Sequence, residues 1–111
     1  MTELTTFQEI KDFITRNRFA LLYLSSPDCG VCRVLKPKVE HMLAEYPEVE
    51  SAYIDLNKVP EAGGQFQVFT IPGILVFIDS KESIREARHI SMALLEEKIA
   101  RYYEIYKSIG K

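Results

Sequence analysis

Cys29-Gly30-Val31-Cys32 holds the only cysteines of the chain, set three positions apart. Ser25-Ser26-Pro27-Asp28 precedes them as a turn, between an apolar strand-like run and a helix-like segment. That context predicts the first sulfur at a helix N-terminus and the second one turn further in. Residues at i and i+3 on a first helical turn lie close enough for a disulfide without backbone movement. Unpaired amides and the helix dipole at that end stabilise the thiolate of Cys29, whereas Cys32 sits deeper and is shielded. The pattern suits two roles in thiol–disulfide exchange: Cys29 attacks a substrate disulfide and Cys32 resolves the mixed disulfide. Small Gly30 leaves the approach to Cys29 open.

Two other readings of the pair stand beside this one. A C-x-x-C can occur by chance, although the strand-turn-helix context argues against that. Zinc binding would require four ligands. The pair supplies two, and the only histidines, His41 and His89, do not follow common finger spacing. Both histidines are expected at the surface, and a metal shared between two chains stays open.

The elements that must position the pair are legible along the chain. Thr6-Phe7-Gln8-Glu9 has the form of a capping box and opens an amphipathic helix to about Asn17, with Phe7, Ile10, Phe13 and Ile14 at helical spacing. Phe19 to Leu24 is a continuous apolar run, as expected of a strand covered on both faces. The next helix is predicted from Cys29 to about Tyr46, with Val31, Val34, Leu35, Val39, Met42 and Leu43 available for burial. Pro37 inside it removes a backbone donor and predicts a kink. Ser51 to Leu56 reads as a second strand, and Pro60 to Gln67 as a short helix interrupted or ended near Gly63-Gly64. Gly73 to Ile78 reads as a third strand. A turn over Asp79 to Glu82 leads to a more polar edge strand, Ser83 to Ile90. Ser91 caps a last helix whose stripe is Leu94, Leu95, Ile99, Tyr102, Tyr103 and Tyr106. This order predicts an α/β fold with a central mixed β-sheet flanked by helices on both faces.

Composition narrows the function classes. The 111 residues form one expected domain, 1–111, with 47% apolar and 27% charged residues, ordinary for a globular protein. A net charge of −2 gives no footprint for nucleic acid or anionic lipid. No apolar run approaches the ~20 residues that span a bilayer. Met1 to Thr6 has neither a basic start nor an apolar stretch, so no secretory signal is read there and a cytoplasmic location is expected. Thiols in that compartment are kept reduced, which favours a catalytic or metal-binding pair over a structural disulfide.

Over nearly its whole length the chain resembles the thioredoxin family. Cys29-Gly30-Val31-Cys32 matches the family's Cys-Gly-x-Cys after the first central strand. Pro37 matches its helix-kinking proline, and Pro72 in Thr70-Ile71-Pro72-Gly73 its cis-proline opposite the active site. Only X-Pro bonds adopt cis at tolerable cost, so local physics permits that assignment, with an ordinary trans turn as the alternative. The resemblance implies a thioredoxin-like fold and a redox-active Cys29–Cys32 disulfide with no bound cofactor. It implies that the Ile71 backbone pairs with an extended partner segment beside Cys29. Gly30, Val31, Ile71 and Pro72 then contact substrate. The implied partners are disulfide-containing proteins and a thiol or flavin-dependent reductase as electron donor, with the chain a monomer.

The chain departs from the family at four places. Asp28 stands where an aromatic is usual, and its carboxylate opposes thiolate formation at Cys29, modestly because it is exposed and screened. Arg33 and Lys36 offset it if they fold toward the sulfurs, or else form a solvated face. Tyr23 occupies the position of a buried acid thought to accept the proton of the resolving cysteine. A tyrosine hydroxyl titrates near ~10 and is a poor base at neutral pH. The lysine that partners that acid aligns near Ser51, so both members of the buried pair are absent together. Tyr23 is then read as a plain core aromatic. Arg88-His89 replaces a groove glycine, and the chain has no tryptophan. Asp28, the missing pair and Arg88-His89 also fit a redox-sensing or protein-binding module with little general reductase activity.

Overall fold

Strand burial on both faces organises the molecule. The computed structural model describes residues 1–109; the last two positions of the expected domain 1–111 lie outside them. The elements are β1 (Thr2–Leu4), α1 (Phe7–Arg16), β2 (Phe19–Ser25), α2 (Gly30–Leu43), β3 (Glu50–Asp55), α3 (Pro60–Phe66), β4 (Gly73–Ile78), β5 (Lys81–Ala87) and α4 (Met92–Ile109). The sheet order is β1-β3-β2-β4-β5. β3 runs parallel to both β1 and β2, while β2–β4 and β4–β5 are antiparallel. A mixed five-stranded sheet with helices on both faces is therefore present, as expected.

All seven residues of β2 are buried because alternate side chains enter two different cores. Phe19, Leu21 and Tyr23 join α2 and α4, with Leu35, Val39, Leu95 and Ile99. Ala20, Leu22 and Leu24 join α1 and α3, with Ile10, Phe13 and Ala62. The helix starts follow their capping residues. Thr6 accepts from the Glu9 amide at 3.1 Å while Glu9 accepts from the Thr6 amide at 3.3 Å, closing the box. Ser91 Oγ accepts from the Leu94 amide at 3.2 Å at the head of α4.

Several expectations need correction. β1 was not anticipated; only Leu4 in it is buried, and its pairing to β3 defines it. α3 is not interrupted at Gly63-Gly64 but runs on to Phe66, where Gln67 ends it in the left-handed region at φ 56°. The β4–β5 turn is confined to Asp79 and Ser80, both at positive φ (52° and 68°), which suits a two-residue hairpin. β5 accordingly spans Lys81–Ala87 rather than ending at Ile90, with a register shift at Val76/Phe77. α2 ends at Leu43, not near Tyr46. Four side chains assigned to burial stay in water: Val31, Val34, Leu94 and Tyr102. The buried stripe of α2 is Cys32, Leu35, Val39, Met42 and Leu43, so Val31 and Val34 fall on another side of that helix.

Candidate active site

The cysteines lie where β2 gives way to α2, at the carboxyl ends of the parallel strands β2 and β3. The Ser26 carbonyl accepts from the Cys29 amide at 3.2 Å, closing the turn. Cys29 is the N-cap of α2 in extended conformation (φ −89°, ψ 101°). Its Sγ accepts from the Cys32 amide at 3.1 Å, so the sulfur takes the capping place of an oxygen and satisfies an otherwise unpaired donor. Cys29 and Cys32 form a disulfide with Cα atoms 5.2 Å apart. The two sulfurs occupy unlike environments. Cys29 is half-buried and beside exposed Gly30, whose Cβ position meets no atom within 4 Å; Cys32 is 1% exposed, inside the α2–α4 core. Val31 projects into water next to the pair.

Tyr23 is more than a core aromatic. Fully buried, it donates its hydroxyl to the Cys32 carbonyl at 2.7 Å and so ties β2 to the first turn of α2. A buried hydroxyl requires such a partner. Burial, reinforced by neighbouring Tyr53, pushes its pKa from 10.0 up to about 12, so it remains a donor at neutral pH. Tyr53 is its direct neighbour across the β2–β3 pairing, with stacked rings 6.3 Å apart, whereas Ser51 pairs with Leu21.

The basic side chains near the pair are engaged elsewhere than at sulfur. Arg33 Nη1 donates to the Pro27 carbonyl at 2.7 Å and braces the turn before Cys29. Lys36 Nζ sits 3.2 Å from Glu40 and 5.8 Å from the centre of the Tyr53 ring. Burial alone would raise the Glu40 carboxyl, but the N-terminal ammonium and Lys36 outweigh it and hold it below the usual range. Asp28 is exposed. Pro37 lies deeper in α2, inside the helix and at the surface, and leaves the Arg33 carbonyl without its usual amide donor.

The Ile71–Pro72 peptide bond is cis. Pro72 is buried, while half-buried Ile71 packs against the same core as Cys29. The Pro72 carbonyl accepts from the Arg88 amide at 2.8 Å, with Arg88 in the left-handed region at φ 67°. Arg88 thus meets the proline segment through its backbone, and the side chains of Arg88 and His89 face water. His41 is also exposed. Among the described residues, no group of three or more His, Cys, Asp or Glu is placed to hold a metal ion.

Sequence reasoning missed three features of this region. The Tyr23–Cys32 tie could have been suspected from a hydroxyl inside an otherwise apolar strand. Arg33 as a brace for Pro27 has no sequence signal. Exposed Phe69, at 81%, precedes the proline segment and resembles a core residue in type only.

The thioredoxin family model matches residues 2–102. The chain is 37% identical over 107 residues to the thioredoxin-like protein YdfQ of Bacillus subtilis, covering 96% of each. It superimposes on the thioredoxin of Fasciola hepatica with a TM-score of 0.83 at 31% identity, covering 91% of this chain and 98% of that one. Mitochondrial thioredoxin 3 of Saccharomyces cerevisiae, in oxidized form, shares the fold alone, at 20% identity and a TM-score of 0.81 over 90% of this chain and 94% of that one. With the family model spanning both cysteines and a near full-length relative, the chain belongs to the thioredoxin family of thiol–disulfide oxidoreductases.

Proposed function

We propose that the chain reduces protein disulfides in the cytoplasm as a monomer, Cys29 attacking and Cys32 resolving, and is re-reduced by a thiol or flavin-dependent reductase. The observation that carries this reading is the asymmetry of the pair. Cys29 is partly exposed and its sulfur receives a helix-terminal N–H, which favours its thiolate, whereas Cys32 is enclosed in the core. Attack by Cys29 on a substrate sulfur forms a mixed disulfide and releases one substrate thiolate. Attack by Cys32 on the Cys29 sulfur then releases the second and leaves the Cys29–Cys32 disulfide. The substrate-contacting residues in this reading are Gly30 and Val31, which follow Cys29 directly, and Ile71 and Pro72, of which Ile71 packs against the same core as Cys29, with the Ile71 backbone pairing with an extended segment.

Insulin reduction under a chemical reductant tests this directly. The wild-type chain is expected to accelerate chain separation, and Cys29→Ser to abolish the acceleration. A wild-type rate equal to reductant alone overturns the reading.

One observation favours a redox-sensing or binding module as the second reading. Tyr23 offers Cys32 a hydrogen-bond donor on its backbone and no base, so resolution lacks a buried proton acceptor at that position. Slow insulin reduction with tight, redox-dependent association to one partner would select it.

A further inference from the structure

The apolar side chains that α2 leaves in water form a continuous feature. Val31 is 65% exposed and Val34 61%. With Gly30, Leu35 and Lys38 they line a groove of about 370 Å³ along one side of the helix. The spacing of positions 31, 34 and 38 places them on one stripe. The groove opens beside Cys29, at Gly30. At its far end stands Lys38, exposed and, among the described residues, in no ion pair or side-chain hydrogen bond. Its neighbours differ: Arg33 is held by the Pro27 carbonyl and Lys36 by Glu40.

We propose that this groove holds the substrate segment flanking the cysteine that becomes bonded to Cys29, selecting an apolar side chain two residues from that cysteine and an acidic one four residues from it. This rests on the reductase reading and adds a substrate class to it. The distances fit an extended peptide. Gly30 to Lys38 spans about 12 Å of helix, and Gly30 to Val34 about 6 Å, at the usual rise per residue. An extended chain advances about 3.3 Å per residue, so its second and fourth residues reach Val34 and Lys38. Alternate side chains of an extended segment share a face, so the cysteine, the apolar residue and the acid all point toward α2 together. Apolar burial against Val31 and Val34 supplies attraction, and the uncompensated Lys38 ammonium supplies the charge preference. The segment stays seated through both exchange steps. Cys29 first forms the mixed disulfide with it while the other substrate sulfur leaves as thiolate. Cys32, its proton passing to solvent, then displaces it as the second thiolate, so the substrate gains two electrons and the chain's dithiol is oxidised.

The test uses the reduced full-length chain and symmetric disulfide dimers of three synthetic peptides. One is Gly-Cys-Ser-Leu-Ser-Glu-Gly, the second replaces Glu by Lys, and the third replaces Leu by Ser. Oxidation of the chain is followed by mass spectrometry, with hydroxyethyl disulfide as the small substrate. The first peptide is expected to react about three- to fivefold faster than either of the others, in line with one exposed charge pair or one partly buried apolar side chain. Lys38→Glu should reverse the Glu-over-Lys preference, and Val34→Ser should remove the Leu-over-Ser preference. Equal rates for all three peptides overturn the groove while leaving the reductase reading intact. Inertness toward hydroxyethyl disulfide contradicts the reductase reading instead. The groove is then judged by adding the cysteine-free Gly-Ser-Ser-Leu-Ser-Glu-Gly peptide to the oxidised chain. Shifts of the Val31 and Val34 methyl signals support it and their absence overturns it. If Val34→Ser converts a dimer to a monomer in sedimentation with peptide preference unchanged, the face serves a second copy and the proposal fails.

Discussion

At the scale of single residues, the pair owes its asymmetry to where α2 begins. Cys29 stands one residue before the helix and takes a donor from Cys32, while Cys32 points into the core. Tyr23 adds the second constraint by holding the Cys32 carbonyl from below. Tyr23→Phe keeps the ring and removes that bond, so it should cost about 0.5–1.5 kcal/mol at neutral pH, read by urea denaturation. The alkaline behaviour separates this from ordinary repacking. The folded pKa of Tyr23 is raised above its unfolded value, so its contribution is whole below pH 10.0 and is lost as pH rises toward about 12. Tyr23→Phe should therefore lose less stability between pH 9 and 11.5 than the wild type. An identical alkaline loss in both proteins would show that Tyr23 does not titrate as its burial requires. The motif residues themselves were legible in the sequence, because cysteine and proline carry their chemistry in their type. The partner of the Tyr23 hydroxyl was not, since it depends on which residue of α2 lies over β2.

Elements explain which apolar residues the sequence could place and which it could not. β2 and β4 are continuous apolar runs, and such runs have one stable place, the middle of a doubly covered sheet. β1 has no such signal, since two of its three residues are exposed and pairing with β3 alone makes it a strand. α2 carries apolar side chains on more than one side, so periodicity did not separate the buried stripe from Val31 and Val34. The proline segment depends on close packing at the start of β4. A Cβ on Gly73 would come within 2.9 Å of Val68 Cγ1, with the Thr70 carbonyl at 3.7 Å and Leu24 Cβ at 3.8 Å. Gly73→Ala should destabilise by about 1–3 kcal/mol, as overpacking does, and slow insulin reduction by displacing Ile71-Pro72. Unchanged stability and rate would mean that Val68 yields freely.

Across the whole molecule, two cores on opposite faces of one sheet hold the carboxyl ends of β2 and β3 fixed, and the reactive sulfurs sit there. Ligand sites in sheets with parallel strands favour such ends. The order of helices and strands gave the α/β class from sequence, and the resemblance carried by Cys29, Cys32, Pro37 and Pro72 implied the particular fold within it. Shape at the surface was not carried, because exposure of Phe69, Val31 and Val34 is decided by packing around them and not by residue type. The central claim is that Cys29 attacks and Cys32 resolves, and Cys32→Ser arrests exchange between those steps. Incubated with a disulfide-bonded protein mixture and read by non-reducing mass spectrometry, this variant should accumulate mixed disulfides on Cys29 that a reductant releases, while Cys29→Ser accumulates none. A Cys29 that remains alkylatable in the Cys32→Ser variant yet captures no substrate would contradict the account.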